Sequence, residues 1–167
     1  MKVILFDLGN TLEDTQQGVL VEGALETLQT IQGLKAGDGS SPVLALISDF
    51  GEIPATPAQI QASLDEYLEI LNTLGIRQFF EPVAKRITLS TQAGAVKPSK
   101  VLFRKAINKI SNQLPFEHVM FITERKAHIL AARTLGMEAI HFKGPGETSG
   151  DVTKLMDLIP RVRNFIK

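Results

Sequence analysis

Four polar side chains in this sequence have the types and positions that phosphoryl-transfer chemistry requires. Asp7, Ser48 and Glu124 each follow a short apolar run, and Lys97 precedes a predicted helix. A carboxylate can attack phosphorus and form an acyl-phosphate intermediate. A hydroxyl and an ammonium group can hold the phosphoryl oxygens, and a second acid can complete a magnesium site built from oxygen ligands. The sequence therefore predicts this chemistry if the fold brings the four residues together.

The apolar runs predict the elements that would position these side chains. Short apolar segments bounded by turn residues are typical of buried strands in parallel sheets, and they cover residues 3–6, 43–47, 87–89, 119–122 and 139–142. Helical spacing between them predicts helices within residues 19–33, 60–74, 101–110 and 129–135, and a short final helix from an Asp151 cap to 158. Thr56 and Pro57 are typical of a helix start, and Gly136 of a helix end.

Alternation of strand and helix predicts an α/β fold. We expect one domain, residues 1–167, with a doubly wound, Rossmann-like parallel sheet of about five strands and helices on both faces. In such sheets the binding crevice lies at the carboxyl ends of the strands, where the strand order reverses. Asp7, Ser48 and Glu124 are predicted at those ends.

Four segments resemble the motifs of the haloacid dehalogenase (HAD) superfamily of phosphatases that use an aspartate nucleophile. The matching segments are FDLGNTL at 6–12, LISD at 46–49, VKPSKVLF at 96–103, and FITE at 121–124 followed by residues 129–137. The resemblance spans nearly the whole chain. It implies a HAD-type sheet and a magnesium-dependent phosphatase.

The resemblance also implies a role for each matched residue. Asp7 is the expected nucleophile and metal ligand. Phosphate would be bound by Ser48, Lys97, Asn10 and Thr11. Magnesium would be held by Asp7, the backbone carbonyl of Gly9, and Glu124, with His128 and Asp49 as further candidates.

Two of the motifs depart from the family pattern. Gly9 stands where the family has a second aspartate that serves as general acid and base, a role typically worth about 10²- to 10⁴-fold in rate. In the fourth motif, Glu124 replaces an aspartate and His128 replaces a second one. Magnesium requires near-ideal octahedral geometry, so the longer side chain of Glu124 changes the metal site. These departures predict impaired acid–base catalysis.

The spacing between motifs leaves no room for a cap domain. Residues 11–48 and 49–97 each hold only a strand, a helix and loops. Lids exclude water and select small substrates. A chain without one has an open crevice, so we expect a phosphorylated substrate that can be large, or a protein partner or second copy that covers the site.

Composition excludes several other classes of function. The 18 basic and 18 acidic residues balance, which argues against a nucleic-acid partner, and no cysteine is present for thiolate catalysis or zinc binding. No apolar run reaches the roughly 20 residues of a membrane helix. We expect a cytoplasmic protein without a membrane partner.

Three functions remain open from the sequence. The first is a HAD-like hydrolase, namely a magnesium-dependent phosphatase working through an aspartyl phosphate. The second is a catalytically inactive HAD-fold binding or regulatory protein, which the loss of two acids favours. The third is a dehalogenase, whose relatives also lack the second aspartate but usually carry a helical lid that this chain lacks.

Overall fold

The computed structural model describes all residues from 1 to 167. Its strands are β1 (Val3–Phe6), β2 (Glu13–Asp14), β3 (Val19–Leu20), β4 (Val43–Ser48), β5 (Ile87–Leu89), β6 (Val119–Thr123) and β7 (Glu138–His141). Its α-helices are α1 (Ala24–Gly33), α2 (Pro57–Thr73), α3 (Val83–Arg86), α4 (Ser90–Ala93), α5 (Lys100–Ile110), α6 (Lys126–Thr134) and α7 (Leu158–Phe165). Short 3-10 turns lie at Arg77–Phe80, Phe116–His118 and Leu155–Asp157.

Five strands form one parallel sheet in the order β5-β4-β1-β6-β7. In the register, Val3 of β1 lies beside Val43 of β4 and Val119 of β6. The strand order reverses at β1, since the chain moves first to β4 and β5 and then returns to β6. The three central strands therefore end side by side at the reversal point, which is where crevices form in such sheets.

The sheet is covered on both faces, as the sequence predicts. In β1, the side chains of Ile4 and Phe6 belong to a core that includes residues of α1 and α7. Val3 and Leu5 point to the opposite core, which includes residues of α5 and α6. This alternation follows from the two-residue period of a strand. The doubly wound α/β fold with five parallel strands and no cap domain is thus confirmed. None of the helices combines the length and the apolar composition that a membrane-spanning segment requires.

The predicted helix over residues 19–33 is wrong at its beginning. Val19 and Leu20 form β3, which pairs antiparallel with β2 in a two-stranded hairpin, and the helix starts only at Ala24. Gly18 and Gly23 both have positive φ angles, 65° and 79°, and glycine adopts these at no steric cost. The two glycines lie on either side of β3. Val19 and Leu20 therefore belong to a strand, although their spacing fits the apolar stripe of the predicted helix.

The predicted cap of the final helix is also wrong. The Asp151 carboxylate accepts hydrogen bonds from the backbone N–H of His141 and from the Arg133 guanidinium, both at 2.9 Å. The helix instead begins at Leu158 and contains Pro160 in its first turn. Proline is tolerated there because the N–H groups of a first turn have no partner within the helix.

The amino end of α2 is closed by the capping residues that the sequence predicts. The Thr56 side chain accepts a hydrogen bond from the Gln59 N–H, and the Gln59 side chain accepts one from the Thr56 N–H, which is a complete capping box. We expect Thr56→Ala to lower the free energy of unfolding by about 1 kcal/mol in urea denaturation, because the cap is lost. Thr73→Ala, at the other end of the same helix, is the matched control. An equal loss in both variants would contradict the capping role.

Candidate active site

One cavity of about 390 Å³ gathers nearly all the residues that the sequence singles out. It lies at the carboxyl ends of β1, β4 and β6. The predicted residues that line it are Asp7, Gly9, Asn10, Ser48, Asp49, Lys97, Glu124 and His128. Only Thr11 is missing from this set.

A buried ion pair between Asp7 and Lys97 lies at the centre of the cavity. The Lys97 Nζ is 2.5 Å from the Asp7 Oδ1, and the two side chains are only 3% and 8% exposed. Asp49 positions the lysine, since its carboxylate accepts a hydrogen bond of 2.8 Å from the Lys97 backbone N–H. A buried charge needs such a partner, and the ammonium group can equally neutralise a phosphoryl group beside Asp7.

Thr123, at the end of β6, holds the other oxygen of Asp7. Its hydroxyl lies 3.0 Å from the Asp7 Oδ2 and 3.1 Å from the Glu124 Oε2, so the two carboxylates are neighbours. The sequence analysis missed Thr123. The available signal was its place directly after the predicted strand at 119–122 and directly before Glu124.

Glu124 is fixed from behind by Thr11. The Thr11 hydroxyl donates to the Glu124 Oε2 at 3.0 Å and accepts from the Glu124 N–H at 3.2 Å. Thr11 is fully buried and does not line the cavity, so its observed role is to position Glu124 rather than to bind phosphate. His141, for which the sequence predicts no role, places its Nε2 at 2.8 Å from the Glu124 carbonyl oxygen.

Asn10 shapes the wall of the cavity. It has a left-handed backbone with φ 55°, which asparagine tolerates better than most residues. Its side-chain oxygen accepts hydrogen bonds from the Thr15 N–H at 3.2 Å and the Thr15 hydroxyl at 2.7 Å. Asn10 therefore ties down the segment that follows β1, while the phosphate-binding role predicted for it stays a prediction.

Ser48 shares a hydrogen bond of 2.7 Å with the hydroxyl of Tyr67. Burial, above all, raises the pKa of Tyr67 far above its usual range, so the phenol stays neutral. A neutral phenol can donate to Ser48 and leave the serine hydroxyl free to donate into the cavity. Tyr67 was predicted only as part of the apolar stripe of α2, and its hydroxyl gave no signal in that pattern.

Two further titratable groups line the cavity. Burial, and next the positive charge of Lys97, lower the pKa of His128, although Asp7 and Asp49 oppose that shift. Burial, and next the charge of Asp14, raise the pKa of Glu13. Glu13 was absent from the sequence-based set because it lies outside every motif that the resemblance supplied.

The donors present fit magnesium better than a softer metal. No three His, Asp or Glu side chains converge in a metal-binding group, and the metal-binding roles of His128 and Asp49 stay predictions. Asp7 and Glu124 remain, with oxygen atoms close enough to share one hydroxyl. Magnesium is usually held by one or two carboxylates together with water and substrate phosphate, and this pair meets that need.

Comparisons with known proteins support the fold that these elements describe. Models of protein families and curated sequences gave no match. Among solved structures, HAD-hydrolase YfnB from Bacillus subtilis bound to magnesium has 13% sequence identity and a TM-score of 0.70, and the match covers 96% of this chain and 98% of that one. A HAD-superfamily hydrolase from Ehrlichia chaffeensis has 17% identity and a TM-score of 0.65, with both chains fully covered.

A third solved structure agrees with these two. It is a HAD-superfamily hydrolase of subfamily IA from Geobacter sulfurreducens, with 10% identity, a TM-score of 0.70, and coverage of 97% of this chain and 96% of that one. The chain therefore has the fold of HAD-superfamily hydrolases, as the sequence motifs predict. At these identities the likeness defines the fold.

The burial of His128 predicts a pH dependence of stability. Its folded-state pKa lies below the ordinary value of about 6.5, so the unfolded chain binds the proton more readily. Stability is then lost as the pH falls below about 6.5. We expect His128→Gln to lose less stability than the wild type between neutral pH and pH of about 5.5, measured by urea denaturation. Equal losses in the two proteins would contradict this origin.

Proposed function

We propose that this protein is a magnesium-dependent phosphatase that works through a phosphoryl group carried on Asp7. The observation that supports this most is the buried pair of Asp7 and Lys97 at the reversal point of a HAD-type sheet. Ser48 and Glu124 line the same cavity. A carboxylate beside an ammonium group, a hydroxyl and a second carboxylate is a suitable set for covalent phosphoryl transfer.

Each residue has a task that follows from its position. The Asp7 carboxylate attacks phosphorus, while Lys97 and Ser48 bind the phosphoryl oxygens and neutralise their charge. Asp49 holds the Lys97 backbone and thereby aims the lysine. Asp7 and Glu124 would hold magnesium, with the Gly9 carbonyl as the third oxygen that the sequence predicts. When bound, the ion supplies charge neutralisation at the transferred phosphoryl group.

The open cavity bears on the substrate. No cap domain lies over it, and its rim carries the 68% exposed side chain of Arg125. We propose a phosphorylated substrate whose remaining part extends outside the cavity, which allows a large substrate. A second copy or another protein would supply a cover where one is needed.

A second candidate function is a HAD-fold binding or regulatory protein without catalysis. Gly9 favours it, because the position of the usual general acid has no side chain, and the carboxylates present form no metal cluster of three. Such a protein would offer the same cavity to a phosphorylated partner without cleaving it. The two candidates differ in whether Asp7 forms a covalent bond to phosphorus.

Beryllium fluoride, a mimic of an aspartyl phosphate, tests the proposal without a known substrate. With magnesium present, we expect fluorine NMR to show a bound signal in the wild type that disappears in Asp7→Asn, because the adduct needs the carboxylate. Asp65→Asn, an exposed carboxylate on α2, is the matched control and should keep the signal. Absence of an Asp7-dependent signal at millimolar magnesium would favour the binding protein.

The role of Glu124 in holding magnesium gives a separate prediction. Glu124→Gln keeps the size of the side chain and removes its charge. We expect the magnesium concentration needed for half-maximal beryllium fluoride signal to rise on the order of 10-fold or more, because one of the two carboxylate ligands is lost. Glu147→Gln, an exposed residue, is the control. An unchanged magnesium requirement would remove Glu124 from the metal site.

A further inference from the structure

The missing side chain at Gly9 leaves the proposed reaction without its usual proton donor. Attack by Asp7 expels an oxygen that needs a proton, and the later attack by water releases one. A carboxylic acid facing the cavity would serve both steps. The surrounding residues show where such a group lies.

The hairpin formed by β2 and β3 places Glu13 against the cavity. Glu13 and Thr15 both line it, whereas Asp14 between them turns away and accepts hydrogen bonds from the N–H groups of Gln16 and Gln17. This is the two-residue alternation of an extended strand. The position is firmly held, since the Glu13 N–H donates to the Leu8 carbonyl at 3.0 Å.

Thr15 shows that the hairpin lies close against Gly9. A Cβ atom added to Gly9 would lie 3.2 Å from the Thr15 Cγ2, closer than an ordinary contact. The Thr15 backbone and hydroxyl are bound to the Asn10 side chain, so the threonine is not free to move away. The same hairpin that crowds Gly9 presents Glu13 to the cavity.

Glu13 also differs from the other carboxylates that line the cavity. Asp7 is paired with Lys97, Asp49 accepts from the Lys97 N–H, and Glu124 accepts from Thr11. The Glu13 carboxylate has no hydrogen-bond partner within the protein. It is therefore the one acid in the cavity that is not committed to holding another residue.

We propose that Glu13 is the general acid and base of this site, in the role that a side chain at residue 9 would otherwise fill. The inference rests on the proposed phosphatase function.

Glu13 gives up one proton in the first step of the reaction and regains one in the second. In the first, a bond forms between an Asp7 oxygen and phosphorus, the bond from phosphorus to the substrate oxygen breaks, and Glu13 gives its proton to that oxygen. In the second, a water oxygen bonds to phosphorus, the Asp7–phosphorus bond breaks, and the water proton passes to Glu13. The products are an alcohol and inorganic phosphate, and both side chains return to their starting states.

Acetyl phosphate with a radioactive phosphoryl group separates the two steps. Acetate is a good leaving group and needs no proton, so labelling of Asp7 does not require Glu13, whereas decay of the label does. Four proteins are labelled in the presence of magnesium: the wild type, Glu13→Gln, Asp7→Asn and Glu66→Gln. The phosphate bound to each protein is then measured over time after quenching with acid. Glu66 is an exposed neighbour on α2 and serves as the matched control.

We expect Glu13→Gln to be labelled at close to the wild-type rate and to lose the label about 10²- to 10⁴-fold more slowly, the typical range for a lost acid–base group. Glu66→Gln should behave as the wild type. Equal lifetimes in wild type and Glu13→Gln would overturn the role of Glu13 and leave the phosphatase function standing. Equal slowing of labelling and decay would show a structural role and also overturn it.

Two further outcomes complete the test. His128 also lines the cavity, so His128→Gln is included. A longer lifetime in that variant, with an unchanged lifetime in Glu13→Gln, would transfer the role to the histidine and overturn this proposal. If no protein is labelled in an Asp7-dependent manner, the proposed function fails, and the role of Glu13 fails with it.

Discussion

The buried ion pair between Asp7 and Lys97 is the interaction on which the site depends. Both charges are buried, and each is stabilised by the other. Removing one partner would leave an unpaired buried charge, which lowers the stability of the fold. The pair joins the end of the central strand to a loop far along the chain. It therefore fixes how the amino end of α5 approaches the sheet. The hydrogen bond from the Lys97 N–H to Asp49 adds the end of β4 to the same arrangement.

Hydroxyl groups organise the remaining charges. The Thr123 hydroxyl lies between the carboxylates of Asp7 and Glu124. The Thr11 hydroxyl donates to the Glu124 carboxylate and accepts from the Glu124 N–H. Gly144 lets the loop after β7 pack closely against Asn10, since a Cβ at residue 144 would lie 2.6 Å from the Asn10 carbonyl oxygen. The longer side chain of Glu124 is thus accommodated by particular neighbours. Its place beside Asp7 is compatible with a magnesium ligand.

The hairpin after β1 connects the departure at Gly9 with the proton transfer that we propose for the site. Asn10 anchors Thr15, the Thr15 methyl group faces Gly9, and strand alternation turns Glu13 to the same side. The absence of a side chain at Gly9 and the position of Glu13 at the cavity are therefore features of one local structure. A phosphatase lacking the usual acid and a phosphatase with a relocated acid have the same first motif. They differ only in whether the residues after that motif place a carboxylic acid at the cavity.

The amino-acid sequence was sufficient to predict the five strands of the sheet, the capped start of α2, and the cavity positions of Asp7, Ser48, Lys97 and Glu124. These follow from local apolar runs, capping residues and motif spacing, which act over a few residues and are visible in the chain. The folded structure was needed to show that residues 19–20 belong to a hairpin and that Thr11 supports Glu124. It was also needed to show that four further residues contribute to the site, namely Tyr67, Thr123, His141 and Glu13. Each of these depends on contacts between distant segments or on turn geometry, and neither has a signature in hydrophobic periodicity.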